Sequence, residues 1–307
     1  MKNTGSVHLS HAVRKSTERF GLATLFMLCA SVRAATVYYD PPAGDPHVTW
    51  DSTSAWSDGN AASSGHDYIV DPDQAQHTTE PQLLTDQTNN DSAFPGDSLV
   101  IQNGGELATR WGDRTITISD LTVDNGAIAH AWKTATHTLA GNLQVGSGGM
   151  TVWNNRDDRA FIFDFLMSGS GAITVRMANR LDTDPTGGTL TLNNSASTWA
   201  GDLILDKQTN VDAGAFTVNY ALDNSASHLT ADGGTWDLQS FTHQFGTAEI
   251  NGSSLAPGTY DATALNSYGG TTFSGSGSLQ IIPEPASFIL FSIGGLLALF
   301  RRKRRSA

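Results

Sequence analysis

From residue 98 onward, apolar and polar residues alternate in short runs. TITI at 115–118, LTV at 121–123, LQV at 143–145, ITV at 173–175 and LTL at 190–192 are the clearest. A period of two is that of a strand with one face buried. Gly, Asn, Asp and Ser divide the runs, as tight corners require. No stretch from 36 to 282 carries a capped apolar period of 3.6. Even AIAHAWKTATHTLA, 127–140, has its apolar face broken by Thr and His. The chain is therefore expected to be all-β. Comparable points recur at Leu121, Leu139, Leu166 and Leu190, an irregular step of about 18 to 27 residues that suits the coils of a solenoid. A β-sandwich or jelly roll gives similar strands and is the competing architecture. The Asn and Gly content favours the solenoid, because its corners need residues that tolerate positive φ.

Charge divides the 307 residues into three unlike pieces. Residues 1–35 carry +4, 283–307 carry +4 and 36–282 carry −20, giving the formal −12. A body of that sign repels nucleic acid and anionic lipid headgroups, so no nucleic-acid partner is expected.

The basic N-terminal piece has its own logic. Arg14, Lys15 and Arg19 precede an apolar run from Phe20 to Ala30, and small residues follow at Ser31, Ala34 and Ala35. This is the order of a secretory signal peptide, here 1–35, with cleavage near Ala34 or Ala35. The run is too short for a membrane span, which needs about 20 residues. The single cysteine, Cys29, lies inside it. Leu28 stands before it, where a lipoprotein signal has a small residue. Cleavage would leave a mature protein without disulfides, thiolate metal ligands or a cysteine nucleophile.

The other end reads PEPASFILFSIGGLLALFRRKRRSA. From Ser287 to Phe300 there is no charge, and as a helix that stretch spans about 21 Å, which flanking arginines extend by snorkelling. Arg301, Arg302, Lys303, Arg304 and Arg305 would then stay cytoplasmic and leave the body outside. Pro283 and Pro285 bracket Glu284 and force an extended, accessible segment. These three elements in this order resemble the PEP-CTERM sorting signal, read by the membrane-embedded protease-transpeptidase exosortase. The resemblance implies that Pro283, Glu284 and Pro285 are the recognition motif. It implies that Ser287–Phe300 and the arginine cluster hold the tail in the inner membrane until it is removed. Export through the Sec translocon, a transient anchor and a final place at the cell surface follow from it, within an envelope that has an exopolysaccharide system.

A second resemblance concerns the body. GGTLTLNNSASTWAGDLILD, 187–206, looks like an autotransporter-associated β-strand repeat. VTWDSTSAWSDG, around Trp50 and Trp56, resembles the opening segment of proteins built from such repeats, and 254–282 resembles their closing coil. The resemblance implies a right-handed parallel β-helix with a structural or adhesive surface role. The organisation is then a signal peptide (1–35), a polar cap or loop region (36–97), a β-strand repeat body (98–282) and the sorting signal (283–307).

Candidate chemistry is sparse. A polysaccharide-cleaving β-helix would need clustered carboxylates beside a basic residue. Asp157 and Asp158, between Arg156 and Arg159, are the first candidates, and Asp182 and Asp184 the second. In so acidic a body such neighbours arise by chance, and a solvated turn carrying an incidental charge pair is the favoured reading. Asp71-Pro72-Asp73 lacks the order of a calcium loop, and VGSGGM and SGSGAI lack the lysine of a phosphate loop. The nine histidines show no zinc spacing, and no metal or cofactor is expected. The tryptophans are expected to be core residues for the most part, with a sugar-stacking strip as the alternative. Together these readings describe an exported, non-enzymatic surface or matrix protein associated with exopolysaccharide. A polysaccharide lyase or hydrolase, or a carbohydrate-binding module, is the alternative.

Overall fold

The computed structural model describes residues 34–282, apart from 44, 46, 75–81, 131–134, 155–158, 177–187 and 207–213. Strand β1 (Ala35–Tyr38) opens the body. The chain then alternates between two parallel sheets: β2 (His66–Val70) to β3 (Gln82–Leu84), the short β4 (Ser92–Ala93), β5 (Ser98–Gln102) to β6 (Glu106–Thr109), and β7 (Arg114–Asp124) to β8 (Gly126–His130). The pattern continues through β9 (Thr136–Val145) to β10 (Met150–Asn154), β11 (Ala160–Gly169) to β12 (Ile173–Arg176), and β13 (Thr189–Leu192) to β14 (Leu203–Leu205). Next come β15 (Ala215–Val218) to β16 (Asp223–Ala231) and β17 (Thr235–Asp237) to β18 (Thr242–Ile250). After the two-residue β19 (Ser253–Ser254) come β20 (Gly258–Asp261), the short helix α1 (Ala262–Asn266), and β21 (Thr272–Ser274) to β22 (Ser278–Ile281).

One sheet runs β1-β2-β5-β7-β9-β11-β13-β15-β17-β21, with β4 beside β7. The other runs β3-β6-β8-β10-β12-β14-β16-β18-β22-β20, with β19 beside β18. Each coil thus lays one strand on each sheet and returns, which is the parallel β-helix expected from the alternating runs; a sandwich is not formed. The long strands turn a corner. In β7 the register against β9 shifts between Ile118 and Leu121. β4 pairs with its first half and β5 with its second. One strand therefore covers two faces, and the coil is three-sided.

Like sits on like along the axis. Phe161, Leu190, Phe216, Trp236 and Phe273 form one inward column. Leu99, Leu121, Leu143 and Met167 form another. Leu107, Ile128, Val152, Val175, Leu205, Ala231 and Ile250 form a third. All are buried and belong to one core, and burial of this apolar surface drives the stacking.

The expected repeat marks are corrected by this register. Leu121 stacks on Leu143, not Leu139; Leu139 lies between Ile116 and Phe163 on the neighbouring face. Leu166 points outward, 41% exposed, opposite Asn142. The corners do use the residues expected. Asn103 and Asn125 take φ of 55° and 57° between successive strands, which Asn tolerates better than most side chains. Gly141 has φ 116°, and a Cβ there would lie 1.9 Å from the Ile118 carbonyl oxygen.

The two ends are finished differently. At the start, Tyr39, Trp50, Trp56, Tyr68 and Phe94 pack edge-to-face or tilted. The Tyr39 hydroxyl accepts from the Val48 amide and donates to the Gln82 carbonyl. Within 36–97, β2 and β3 already lie in the coil. At the far end β20 runs antiparallel to β22, and Asp261 caps α1 by accepting from the Ala264 amide.

Candidate functional site

The last coil fixes where the C-terminal segment departs. Ile281 closes β22, and the Ile282 amide still donates to the Phe245 carbonyl at 2.9 Å. Pro283, Glu284 and Pro285 follow at once. They, the Ser287–Phe300 stretch and Arg301, Arg302, Lys303, Arg304 and Arg305 lie outside the described residues, as does 1–33. Ala34 is the first described residue and Ala35 begins β1. Among the described residues, no helix is long and apolar enough to cross a membrane.

Asp157, Asp158, Asp182 and Asp184 also lie outside the described residues. The acids that are described show what the negative charge is used for. Asp91, Asp97, Asp113, Asp124 and Asp202 each accept a hydrogen bond from a backbone amide of a neighbouring coil, at 2.6–2.9 Å. A carboxylate accepting from an amide makes a charge-assisted bond, so these side chains staple coil to coil at the corners. Asp71 is buried and accepts from Asn103 Nδ2, Gln102 Nε2 and the Asp73 amide. It serves a turn. No group of three His, Cys, Asp or Glu that could hold a metal occurs among the described residues.

Two histidines that look scattered in the sequence meet in space. His130 ends β8 and His137 lies at the start of β9; their rings stack at 4.1 Å and 9°. Carbonyl oxygens fix the tautomers: His130 Nε2–H donates to Ala135, and His137 Nε2–H to Trp111. His137 Nδ1 is then free to accept from the Thr109 hydroxyl at 2.6 Å. Burial first, and then the neighbouring charges of His137 and Arg159, holds His130 down to about 2. Burial holds His137 down to about 4. Arg159 Nη1 donates to the His130 carbonyl, and Arg114 pairs with Asp86 at 2.5 Å. This is a neutral, hydrogen-bonded column inside a corner, not an acid–base pair open to substrate.

Of the seven tryptophans, Trp50, Trp56, Trp199 and Trp236 are core residues. Trp111 and Trp153 are half-buried, and Trp132 lies outside the described residues. The Arg176 guanidinium sits 4.8 Å from the Trp153 ring centre and its Nε donates to Asp206 at 2.7 Å, a surface pairing of small energetic weight.

Among the described residues, a cleft of about 180 Å³ lies between the turns that follow β13 and β15. Ser197, Thr198 and Trp199 form one wall, and Tyr220 to Asn224 the other. Trp199 is fixed by its indole N–H, which donates to the Gly171 carbonyl. Asn224 Nδ2 donates to the Gly201 carbonyl at 2.8 Å, which orients the amide. Asn224 Oδ1 and the Tyr220 hydroxyl are both buried, and among the described residues Asn224 Oδ1 has no hydrogen-bond partner. Burial pushes the phenol up to about 12, opposed to a smaller extent by a hydrogen bond with the Ser197 side chain. The Ser197 hydroxyl is itself committed, accepting from the Met167 amide and donating to the Phe165 carbonyl. Nothing in the local sequence marks these two residues, because the cleft exists only once neighbouring coils are stacked, as in the bond from Asn224 to Gly201, 23 residues away.

A family model for the PEP-CTERM protein-sorting motif matches residues 282–305. The chain carries a PEP-CTERM sorting motif. It is therefore an exported protein addressed to exosortase, with the motif starting at the residue where the β-helix makes its last hydrogen bond. No curated protein and no solved structure matches the chain.

Proposed function

We propose that the protein is a non-enzymatic surface or matrix component: a β-helical body delivered outside by the PEP-CTERM tail and held there by association with exopolysaccharide. The carrying observation is the abutment of the sorting motif on β22, with Ile282 as the boundary. A segment placed there can be cut without disturbing the fold. The N-terminal 1–35 acts as a Sec signal peptide, cleaved near Ala34 or Ala35. Ser287–Phe300 holds the chain in the inner membrane, with Arg301–Arg305 on the cytoplasmic side, until exosortase acts. Asp91, Asp113, Asp124 and Asp202 support a passive role, since each is spent on a coil-to-coil hydrogen bond. The autotransporter-like reading of 187–206 agrees with an adhesive surface.

Intact mass of the protein from its own cells, with fractionation, tests this. The expected result is a surface-associated chain lacking both termini and co-eluting with polysaccharide. A full-length chain in the cytosol would overturn export and sorting. Turnover of acidic polysaccharide by the purified protein would replace the matrix reading with a lyase or hydrolase.

A further inference from the structure

We propose that the outer face of the sheet running from β7 to β21 adsorbs to ice. Two outward rows cross this face. Thr136, Ala160, Thr189, Ala215, Thr235 and Thr272 stand side by side in the first. Thr115, Thr138, Ile162, Thr191 and Thr217 form the second, each two residues further along its strand. The register holds without a bulge from β9 to β21. Coils repeat about every 4.8 Å along the axis, and the rows lie about 6.6 Å apart. The side chains therefore make a two-dimensional lattice about 24 Å long between β9 and β21. Its repeats lie close to those of the oxygen atoms on a prism face of hexagonal ice. β-branching restricts χ1, so neighbouring threonines hold a hydroxyl and a methyl in fixed places. Ala160, Ala215 and Ile162 keep the methyl and drop the hydroxyl.

Two further observations point to the same partner. The first is that these hydroxyls are unspent: among the described residues, none of the threonines in the two rows bonds through its side chain. Hydroxyls elsewhere serve the fold. Thr271 donates to the Gly233 carbonyl at 3.0 Å, and Thr109 to His137 Nδ1 at 2.6 Å. The row bordering the lattice is likewise committed, with Asn219 Nδ2 donating to Asn193 and Asn193 Nδ2 to Asp164. The second is charge. Residues 36–282 carry −20, yet the second row meets no charge until Asp237, beside Thr217. That carboxylate accepts from the Gln239 amide at 2.9 Å. A neutral partner that donates and accepts hydrogen bonds at regular intervals in two directions complements such a face. A polysaccharide chain repeats in one direction only, and the aromatic platform on which sugar rings stack is absent from both rows. The inference does not rest on the matrix reading.

The test grows single ice crystals in solutions of the secreted protein and follows recrystallisation in frozen sucrose. Faceted crystals, slowed recrystallisation and a gap between the freezing and melting points of ice that widens with protein concentration are expected. Thr191→Tyr sets a bulky ring in the middle of the lattice. It should unfold at the same temperature as the parent and lose most of the gap. Thr230→Tyr lies on the outer face of the other sheet, between Ile204 and Glu249, and should leave the gap unchanged. Unshaped crystals with no gap would overturn the proposal, and so would equal loss from both variants. If Thr191→Tyr instead releases the protein from insoluble cellulose, or turns a dimer into a monomer, while ice growth is unchanged, the face belongs to a polymer or to a second copy and the proposal falls. Co-elution with the cells' own polysaccharide is read separately, so the matrix reading stands or falls on its own result.

Discussion

His130, His137 and His243 are held below the usual imidazole range because burial disfavours the cation. His243 is wedged between Trp236 and Phe241, held down to about 4, and its Nδ1 accepts from the Leu222 amide. An unfolded histidine titrates near 6.5. The unfolded chain therefore binds more protons than the folded one below that pH, and stability falls as pH falls. The contribution of the three rings is complete above about 6.5; it is lost from there down to about 4 for His137 and His243, and to about 2 for His130. Each ring adds up to about 1.4 kcal/mol per pH unit inside its window. Thermal melts between pH 7 and 5, above the range where ordinary carboxylates titrate, should show a steady decline. His243→Gln keeps an acceptor for Leu222 and should make the decline shallower by about a third, since His130 and His137 still contribute. A melting temperature constant from pH 7 to 5 would show that these rings are not buried neutral. The pairing of His130 with His137 could not be seen in the sequence. Seven residues of separation says nothing until one ring ends a strand and the other begins the next coil's strand.

At the scale of the element, the turns are the most constrained parts. Gly171 sits between Gly146 below and Gly201 above. A Cβ on Gly171 would lie 1.7 Å from the Gly146 carbonyl oxygen, and one on Gly201 would lie 2.0 Å from that of Gly171. Three backbones touch there, with no room for side chains. Gly171→Ala should cost about 1–3 kcal/mol or more, read as a lower urea midpoint. A variant as stable as the parent would mean that the turns do not stack so closely. Strand type and corner composition were legible in the sequence because both are local: alternation sets the face, and Asn or Gly sets the corner. Register was not. Leu99 to Leu121 and Leu121 to Leu143 are steps of 22, Phe216 to Trp236 is 20 and Trp236 to Phe273 is 37. The longest step carries β20 and α1, and β7 bends across two faces. Equal spacing along the chain therefore does not mean equal height along the axis.

At the scale of the whole molecule, the closing coil and the sorting motif meet at one residue but serve opposite ends. The core runs without a break from Val37 to Ile281. Trp236 is fully buried because Phe216 covers it from one coil at 5.6 Å and Phe273 from the next at 6.1 Å. Stacked coils take their stability from nearest neighbours, so a coil removed from the end uncovers the one beneath. Two truncations separate cap from address. Ending the chain at Ile282 keeps every strand and the last hydrogen bond to Phe245, so its urea midpoint should match that of the chain with its tail. Ending it at Tyr268 removes β21 and β22, uncovers Trp236 and leaves β17 and β18 as open edges. That form should unfold at lower urea and self-associate, since unpaired parallel edges recruit other chains. Equal loss from both truncations would place part of the folding energy in 283–307, and a tail needed for folding could not be discarded after export. Equal tolerance of both would mean that the final coil covers nothing, contrary to the contacts of Phe273. Only separation of the two makes exosortase cleavage at this boundary physically harmless to the body it releases.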